Sequence, residues 1–273
     1  MYPILMKQQI GPETWRMRIE APRVARRAQP GQFVMLRVDA DGERIPLTIA
    51  DFDRQNQTID IIFQAVGDTT RQLAGLAVGD GLHDFLGPLG KPANLPDHGR
   101  VICVGGGVGA AVVYPEVKAL HERGVTVDVI IGARNEDLLI LEDEIRAVCH
   151  ELYVTTDDGS RGRKGLVTDV LKELLVKDHY DEVIAIGPVI MMKFVSLTTR
   201  EFGVKTTVSM NPVMVDGTGM CGGCRVTVGG ETKYACVDGP EFDGHLVDFD
   251  EAMRRLTTYR DEERAAHTCR IGG

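Results

Sequence analysis

Asp216-Gly-Thr-Gly-Met-Cys221-Gly-Gly-Cys224, with eleven further residues before Cys236, is the stretch whose residue types and spacing imply the most specific chemistry in this sequence. Thiolates at Cys-x4-Cys-x2-Cys plus one distant Cys hold a two-iron, two-sulfur cluster. Cys221, Cys224 and Cys236 fill the second, third and fourth positions, and Asp216 stands at the first. The glycines between them let backbone amides turn toward sulfur. A zinc centre would want two ligand pairs, but Tyr234 and Asp238 flank Cys236 where the second partner should be. A Cys-x-x-Cys redox pair would leave Cys236 idle and normally opens a helix. The metal set is therefore Asp216, Cys221, Cys224 and Cys236, although Asp-Gly is also a common turn pair.

One glycine loop suggests phosphate binding. Gly105-Gly106-Gly107-Val108-Gly109 follows the apolar run Val101–Val104 and precedes a helical pattern. Glycine permits close backbone approach to a pyrophosphate, and the free amides of the next helix favour negative charge. The spacing departs from G-x-G-x-x-G, so a plain strand-to-helix turn competes. Gly187-Pro188 follows a later apolar strand. Thr155-Thr156-Asp157-Asp158-Gly159-Ser160 ends another and leads into Arg161, Arg163 and Lys164, at the strand end where open α/β sheets bind ligands; a solvated loop is the competing reading. Nearer the N-terminus, Arg44-Ile45-Pro46-Leu47-Thr48 offers a guanidinium for a diphosphate and a hydroxyl for a flavin nitrogen, and Gly67, Thr69 and Thr70 offer amides and hydroxyls to phosphate.

Residues 1–98 must present the Arg44 segment, and they alternate short apolar runs (14–19, 33–38, 44–50, 58–64) with Gly- and Pro-rich turns, which predicts a small antiparallel barrel. Residues 99–205 alternate wholly apolar strands with amphipathic helices, one predicted over 137–147, implying a parallel sheet covered on both faces. Beyond Val204 the periodicity breaks, so 206–273 reads as a small cluster module ending in a charged helix from about 248 to 266. The fold class is a β barrel followed by a Rossmann-like α/β unit and a C-terminal iron-sulfur module. With 31 Lys and Arg against 40 Asp and Glu, a net charge of -9 disfavours nucleic acid and anionic membranes as partners. No apolar run is long enough to span a bilayer, and thiol chemistry of this kind suits the reducing cytoplasm. Cys103, Cys149 and Cys269 read as bystanders.

Together with Gly87-Pro88-Leu89-Gly90, the Arg44–Thr48 and Gly67–Thr70 segments resemble the ferredoxin-reductase family, in which a flavin barrel precedes a pyridine-nucleotide domain. Pro46-Leu47 stands where that family's Arg-x-Tyr-Ser or Arg-x-Tyr-Thr has tyrosine. With the cluster motif added, nearly the whole chain is similar to the electron-transfer subunits grouped with dihydroorotate dehydrogenase. Arg-Ile-Pro-Leu-Thr-Ile-Ala-Asp, the Asp216–Val226 stretch and the terminal Ala-Ala-His-Thr-Cys-Arg-Ile-Gly-Gly bring it nearest to the small subunits of NADH-dependent ferredoxin:NADP oxidoreductases, which resemble it in having Asp at position 216. The resemblance implies FAD, NAD(H) and a [2Fe-2S] cluster as cofactors. It implies that Arg44, Pro46 and Leu47 hold FAD, with Thr48 at the reacting ring, and that Gly67, Thr69 and Thr70 bind phosphate. Gly105, Gly106, Gly107, Gly109, Asp157, Asp158, Gly187 and Pro188 then line the NADH site, and NAD(H) rather than NADP(H) follows from the resemblance, since Glu136 and Asp137 suit a ribose hydroxyl while Arg134 suits a 2'-phosphate. A larger flavoprotein with further iron-sulfur clusters is the implied partner, with ferredoxin reached through the complex and electron bifurcation its activity. Dihydroorotate, sulfide or polysulfide chemistry is the alternative.

Overall fold

The structure, a computed structural model, describes residues 1–258. The N-terminal sheet contains β1 (Tyr2–Gly11), β2 (Thr14–Glu20), β3 (Phe33–Arg37), β4 (Arg44–Asp53), β5 (Thr58–Gln64), β6 (Gly81–Leu82) and β7 (Asp84–Leu89), with short helices α1 (Pro22–Ala25) and α2 (Asp68–Gly75) between strands. Its order, β6-β1-β2-β5-β4-β3-β7, places the two outermost strands on either side of the single residue His83, so the sheet curls nearly shut. Alternation decides which side chains fill it. Val34 and Leu36 of β3 and Ile45, Leu47 and Ile49 of β4 point into a core shared with Ile4, Met17, Ile19, Ile59, Ile61 and Phe63. Each fully buried aliphatic side chain of this kind contributes about 1.5–3 kcal/mol. Phe33 and Met35, of opposite parity, point outward, yet they are as buried as the core.

The second sheet contains β8 (Arg100–Gly106), β9 (Thr126–Ala133), β10 (Glu151–Thr156), β11 (Arg163–Lys164), β12 (Glu182–Ile186), β13 (Lys205–Ser209) and β16 (Glu241–Asp243), with α3 (Gly109–Glu122), α4 (Glu142–Arg146), α5 (Val167–Lys177) and α6 (Val189–Phe202) as crossovers; a hairpin of β14 (Arg225–Val228) and β15 (Glu231–Tyr234) and the helix α7 (Phe249–Leu256) complete the described chain. The order is β11-β10-β9-β8-β12-β13-β16, all parallel except β16. At the amino ends of its strands, buried Asp128 accepts bonds from Arg100 (2.8 Å), His150 (2.9 Å) and Tyr180 (2.7 Å). Burial pushes the Asp128 carboxyl up, but these donors outweigh it and leave it below its ordinary range. The network braces the end of the sheet remote from the glycine loops. Among the described residues no helix is long and apolar enough to cross a membrane.

Two predicted elements differ. In place of one helix over 137–147, a 3-10 turn (Glu136–Leu138) and α4 are separated by extended residues and by Leu141 at a φ of 59°. Leu139 is extended and Leu141 left-handed, so the helical ladder is broken between the two pieces while Ile140 and Leu141 still reach the core. The loss of periodicity after Val204 also conceals a strand. β13 continues the parallel sheet past residue 205, its polar look coming from Thr206, whose hydroxyl bonds Thr199 at 2.6 Å, and Thr207, which bonds Glu182 at 2.6 Å. The predicted terminal helix is described as far as Leu256, followed by a turn; its remainder and the Cys269 tail lie outside the described residues.

Where barrel, α3 and β16 meet, the carboxyls of Glu116 and Glu241 face each other. Neither oxygen of fully buried Glu116 has a hydrogen-bond donor, nor has Oε1 of Glu241. Glu182, paired with Lys205 at 2.9 Å, and the buried thiol of Cys103 are the other titratable groups facing them. Burial first, then the opposed carboxylate, pushes Glu116 well above the usual carboxylate range. A raised acid binds its proton more tightly folded than unfolded, so its stabilising contribution is complete below the unfolded value, about 4.3, and is lost as pH rises through the folded value. Glu116→Gln is therefore expected to flatten the alkaline decline of melting temperature with pH, measured by thermal unfolding from acid to alkaline buffer. An unchanged slope would show that Glu116 does not titrate in this range.

Candidate redox site

Strand order reverses direction between β8 and β12, and the crevice at their carboxyl ends is where open α/β sheets bind ligands. The structure brings both glycine loops there. Gly105 and Gly106 close β8, Gly107 turns at a φ of +55° with its amide on the Gly132 carbonyl (2.8 Å), and Gly187-Pro188 leave β12. A side chain on Gly109 would overlap the Ile186 carbonyl and come within 2.9 Å of Gly187 Cα; one on Gly187 would reach 3.1 Å from Gly106 Cα. The loops are thus packed backbone to backbone, and α3 begins directly over them. Asp157 and Asp158 lie elsewhere, at the end of β10, two strands from β8. Asp158 closes its own loop by accepting from Ser160 N (2.9 Å) and Oγ (2.7 Å). Two of the nearby cations are engaged, Arg161 with Glu142 (2.9 Å) and Arg163 with Glu173 (2.7 Å).

On the barrel, Arg44, Pro46 and Thr48 share the outward face of β4, while Leu47 points inward. Register sets Thr48 opposite Phe33, Pro46 opposite Met35 and Arg44 opposite Arg37. Arg44 is half-exposed and pairs with Asp84 at 3.1 Å. Gly67 caps α2, its amide on Thr70 Oγ1 (2.9 Å), and buried Thr69 lies 3.2 Å from the Glu43 carboxylate.

The cysteine loop covers the neighbouring part of that face. Cys224 and Cys236 are buried with their sulfurs 3.1 Å apart, while Cys221 is exposed. Burial, then the Cys224 sulfur, pushes the Cys236 thiol up to about 12. Asp216 accepts from the amides of Thr218 (2.8 Å) and Cys221 (2.9 Å). The Thr218 amide above all, with that of Cys221 against the opposing effect of burial, holds its carboxyl below the usual range. Among the described residues no three His, Cys, Asp or Glu converge on one point. The four predicted ligands lie in two neighbouring sets instead, the Cys224 and Cys236 sulfurs in contact and the Asp216 carboxylate on the backbone amide of Cys221. Three sulfurs and one carboxylate on a glycine-rich loop fit a two-iron centre in their chemistry.

What the sequence does not disclose is the seam beneath this loop. Phe33 and Met35 form one apolar cluster with Met214, Cys224, Ala235 and Cys236, joined by Leu89, Tyr234 and Phe242. Parity along β3 was the available signal, since a strand with both faces apolar has two layers to bury.

A family profile described as the iron-sulfur cluster binding domain of dihydroorotate dehydrogenase B matches residues 211–248. The chain is 56% identical to an uncharacterized protein of the adh 3' region in Clostridium beijerinckii, over 97% of this chain and 93% of that one. It is 48% identical to the dihydroorotate dehydrogenase B (NAD(+)) electron transfer subunit homolog of Thermotoga maritima, again over 97% and 93%. Among solved structures, it is similar to a chain of the NADH-dependent reduced ferredoxin-NADP oxidoreductase, studied for flavin-based electron bifurcation, with a TM-score of 0.94 and 46% identity over 99% of this chain and 98% of that one.

Proposed function

The chain belongs to the family of dihydroorotate dehydrogenase B electron-transfer subunits, and from that premise we propose that it carries electrons between NAD(H) and a larger partner flavoprotein by way of FAD and a [2Fe-2S] cluster. NADH-dependent ferredoxin:NADP oxidoreduction with flavin-based bifurcation is the form of the reaction favoured by the similarity at a TM-score of 0.94. Flavin, when bound, converts the two-electron chemistry of nicotinamide into the single-electron chemistry of iron-sulfur clusters. The observation that carries this reading is that the strand bearing Pro46 and Thr48 adjoins β3, whose outward side chains share one buried cluster with Cys224 and Cys236.

Each part of the chain has one task in this reading. The barrel, residues 1–98, presents Pro46 and Thr48 to the flavin, with the Thr48 hydroxyl the hydrogen-bonding group at the ring and Leu47, its side chain in the core, adjoining through backbone alone, and presents Arg44, Gly67, Thr69 and Thr70 to its phosphates. Residues 99–205 receive NADH in the crevice of Gly105, Gly106, Gly107, Gly109, Gly187 and Pro188, while Asp157 and Asp158, two strands away at the end of β10, are reached only by a ligand that extends across β9. Residues 206–273 supply Asp216, Cys221, Cys224 and Cys236 to the cluster. The partner docks over exposed Cys221, where Met220, Val215 and Val213 leave apolar surface in water. The free thiols of the described cysteines accord with the cytoplasm.

Anaerobic mixing of reconstituted protein with NADH tests the reading, with bleaching of flavin absorbance followed by the paramagnetic signal of a reduced cluster as the expected result. Bound FAD that NADH does not bleach would mean that the chain senses redox ligands without transferring electrons. Asp216→Cys is expected to retain iron but shift the paramagnetic spectrum and the potential, because a carboxylate donates less charge than a thiolate. An identical spectrum would exclude Asp216 from the ligand set.

A further inference from the structure

We propose that Met35 is the positioning residue that sets how closely the ligand loop approaches the flavin-binding face of the barrel and seals the space between them against water. The proposal rests on the reading above, that this face holds a flavin and the loop a cluster.

Met35 points out of the barrel yet is 1% exposed. Its cross-strand neighbours are Pro46 on β4 and Leu86 on β7, so it sits one strand from the segment assigned to the flavin. On its other side lies the loop backbone itself. Gly217, next to Asp216, is buried at a φ of +75°, and a Cβ built there would fall 2.7 Å from Met35 Cγ and 3.0 Å from Leu89 Cδ1. No side chain fits between them, so the height of Met35 fixes the height of the loop. The same apolar cluster takes in the Cys224 and Cys236 side chains. Elsewhere the seam is pinned by backbone, with the Lys91 amide on the Gly239 carbonyl (2.7 Å) and Gly90 held between Phe33 and Pro240. Those contacts fix where the two units meet, leaving Met35, with Leu89 beside it, as the side chain nearest the loop backbone. An unbranched thioether fills an irregular gap without a fixed shape, and leucine of similar volume should replace it.

The test compares wild type, Met35→Ala, Met35→Leu and Gly217→Ala, the last disturbing the same contact from the loop side. In metal-free protein, alkylation of Cys224 and Cys236, followed by mass spectrometry, is expected to be slow in wild type and Met35→Leu and markedly faster in Met35→Ala and Gly217→Ala. In reconstituted protein mixed with NADH, flavin bleaching should keep its rate in all four, while the later cluster-reduction phase slows in Met35→Ala and Gly217→Ala and recovers in Met35→Leu. A defect confined to the second phase and rescued by leucine is not what general loosening produces. Wild-type thiol protection and wild-type cluster reduction in either altered protein overturn the proposal and leave the electron-transfer reading intact. Failure of NADH to bleach the flavin of wild type overturns that reading instead, and the proposal with it.

Discussion

Cys236→Ser is expected to abolish stoichiometric iron and inorganic sulfide while FAD remains bound. Cys236 lies at 2% exposure in the apolar seam, its sulfur 3.1 Å from that of Cys224. A serine hydroxyl is a poor ligand for iron, and in this position it also meets sulfur and apolar side chains. Burying a polar group without a good partner costs about 1–3 kcal/mol, so a modest fall in melting temperature should accompany the loss. The flavin residues lie on other strands and are not touched. Cys103→Ser is the control, since Cys103 is equally buried on β8 but belongs to a different core, among Val101, Val127 and Ile184. It should lose stability to a similar degree and keep its iron. Metal and sulfide analysis of both proteins decides the matter, and full iron retention in Cys236→Ser would remove Cys236 from the ligand set.

Gly109→Ala should have the largest effect at the nucleotide crevice. The added methyl meets the Ile186 carbonyl oxygen and carbon and Gly187 Cα, all of them backbone, so no rotamer change relieves it. Overpacking of this kind costs about 1–3 kcal/mol, and the relief available is to lift the start of α3 away from β12. That displacement parts the amides of one glycine loop from the other. Because each loss of about 1.4 kcal/mol is tenfold in rate, NADH-driven flavin bleaching should slow by about fivefold to a hundredfold at subsaturating NADH, with FAD content unchanged. Rapid-mixing absorbance over a range of NADH concentrations measures it. Gly107→Ala offers the contrast, since nothing lies within 4 Å of its Cβ position and its φ of +55° adds only local strain. Equal rates in Gly109→Ala and wild type would place NADH elsewhere.

The parts of the fold written in local pattern were legible. Alternation along 14–19, 33–38, 44–50 and 58–64 marked four barrel strands within a few residues, and the apolar runs of β8, β9, β10 and β12 marked the parallel sheet. β6 escaped notice because two residues carry no period, and β13 because its inward Thr206 is polar and finds its partner, Thr199, on a different element. The helix expected over 137–147 failed for the opposite reason, since Ile140 and Leu141 satisfied an apolar count while the backbone between them and the preceding turn is extended at Leu139 and left-handed at Leu141, which no apolar count reports. At the site, the cysteine spacing announced its chemistry because ligands to one centre are constrained along the chain. The seam did not, because Met35 and Gly217 become neighbours only when the loop folds over the barrel.

The continuation of the parallel sheet past residue 205 bears on how this protein can be shortened. β12 is covered on one flank by β8 and on the other by β13, which is covered in turn by the three residues of β16. A chain cut after the apparent nucleotide unit would leave Glu182–Ile186, apolar through its middle, as an open strand edge with unpaired amides and carbonyls. Such an edge is a template for self-association. In the intact chain the margin on that side is instead β16, three residues long with Asp243 exposed, so the segment matched by the iron-sulfur profile also keeps the sheet from pairing with its own copies.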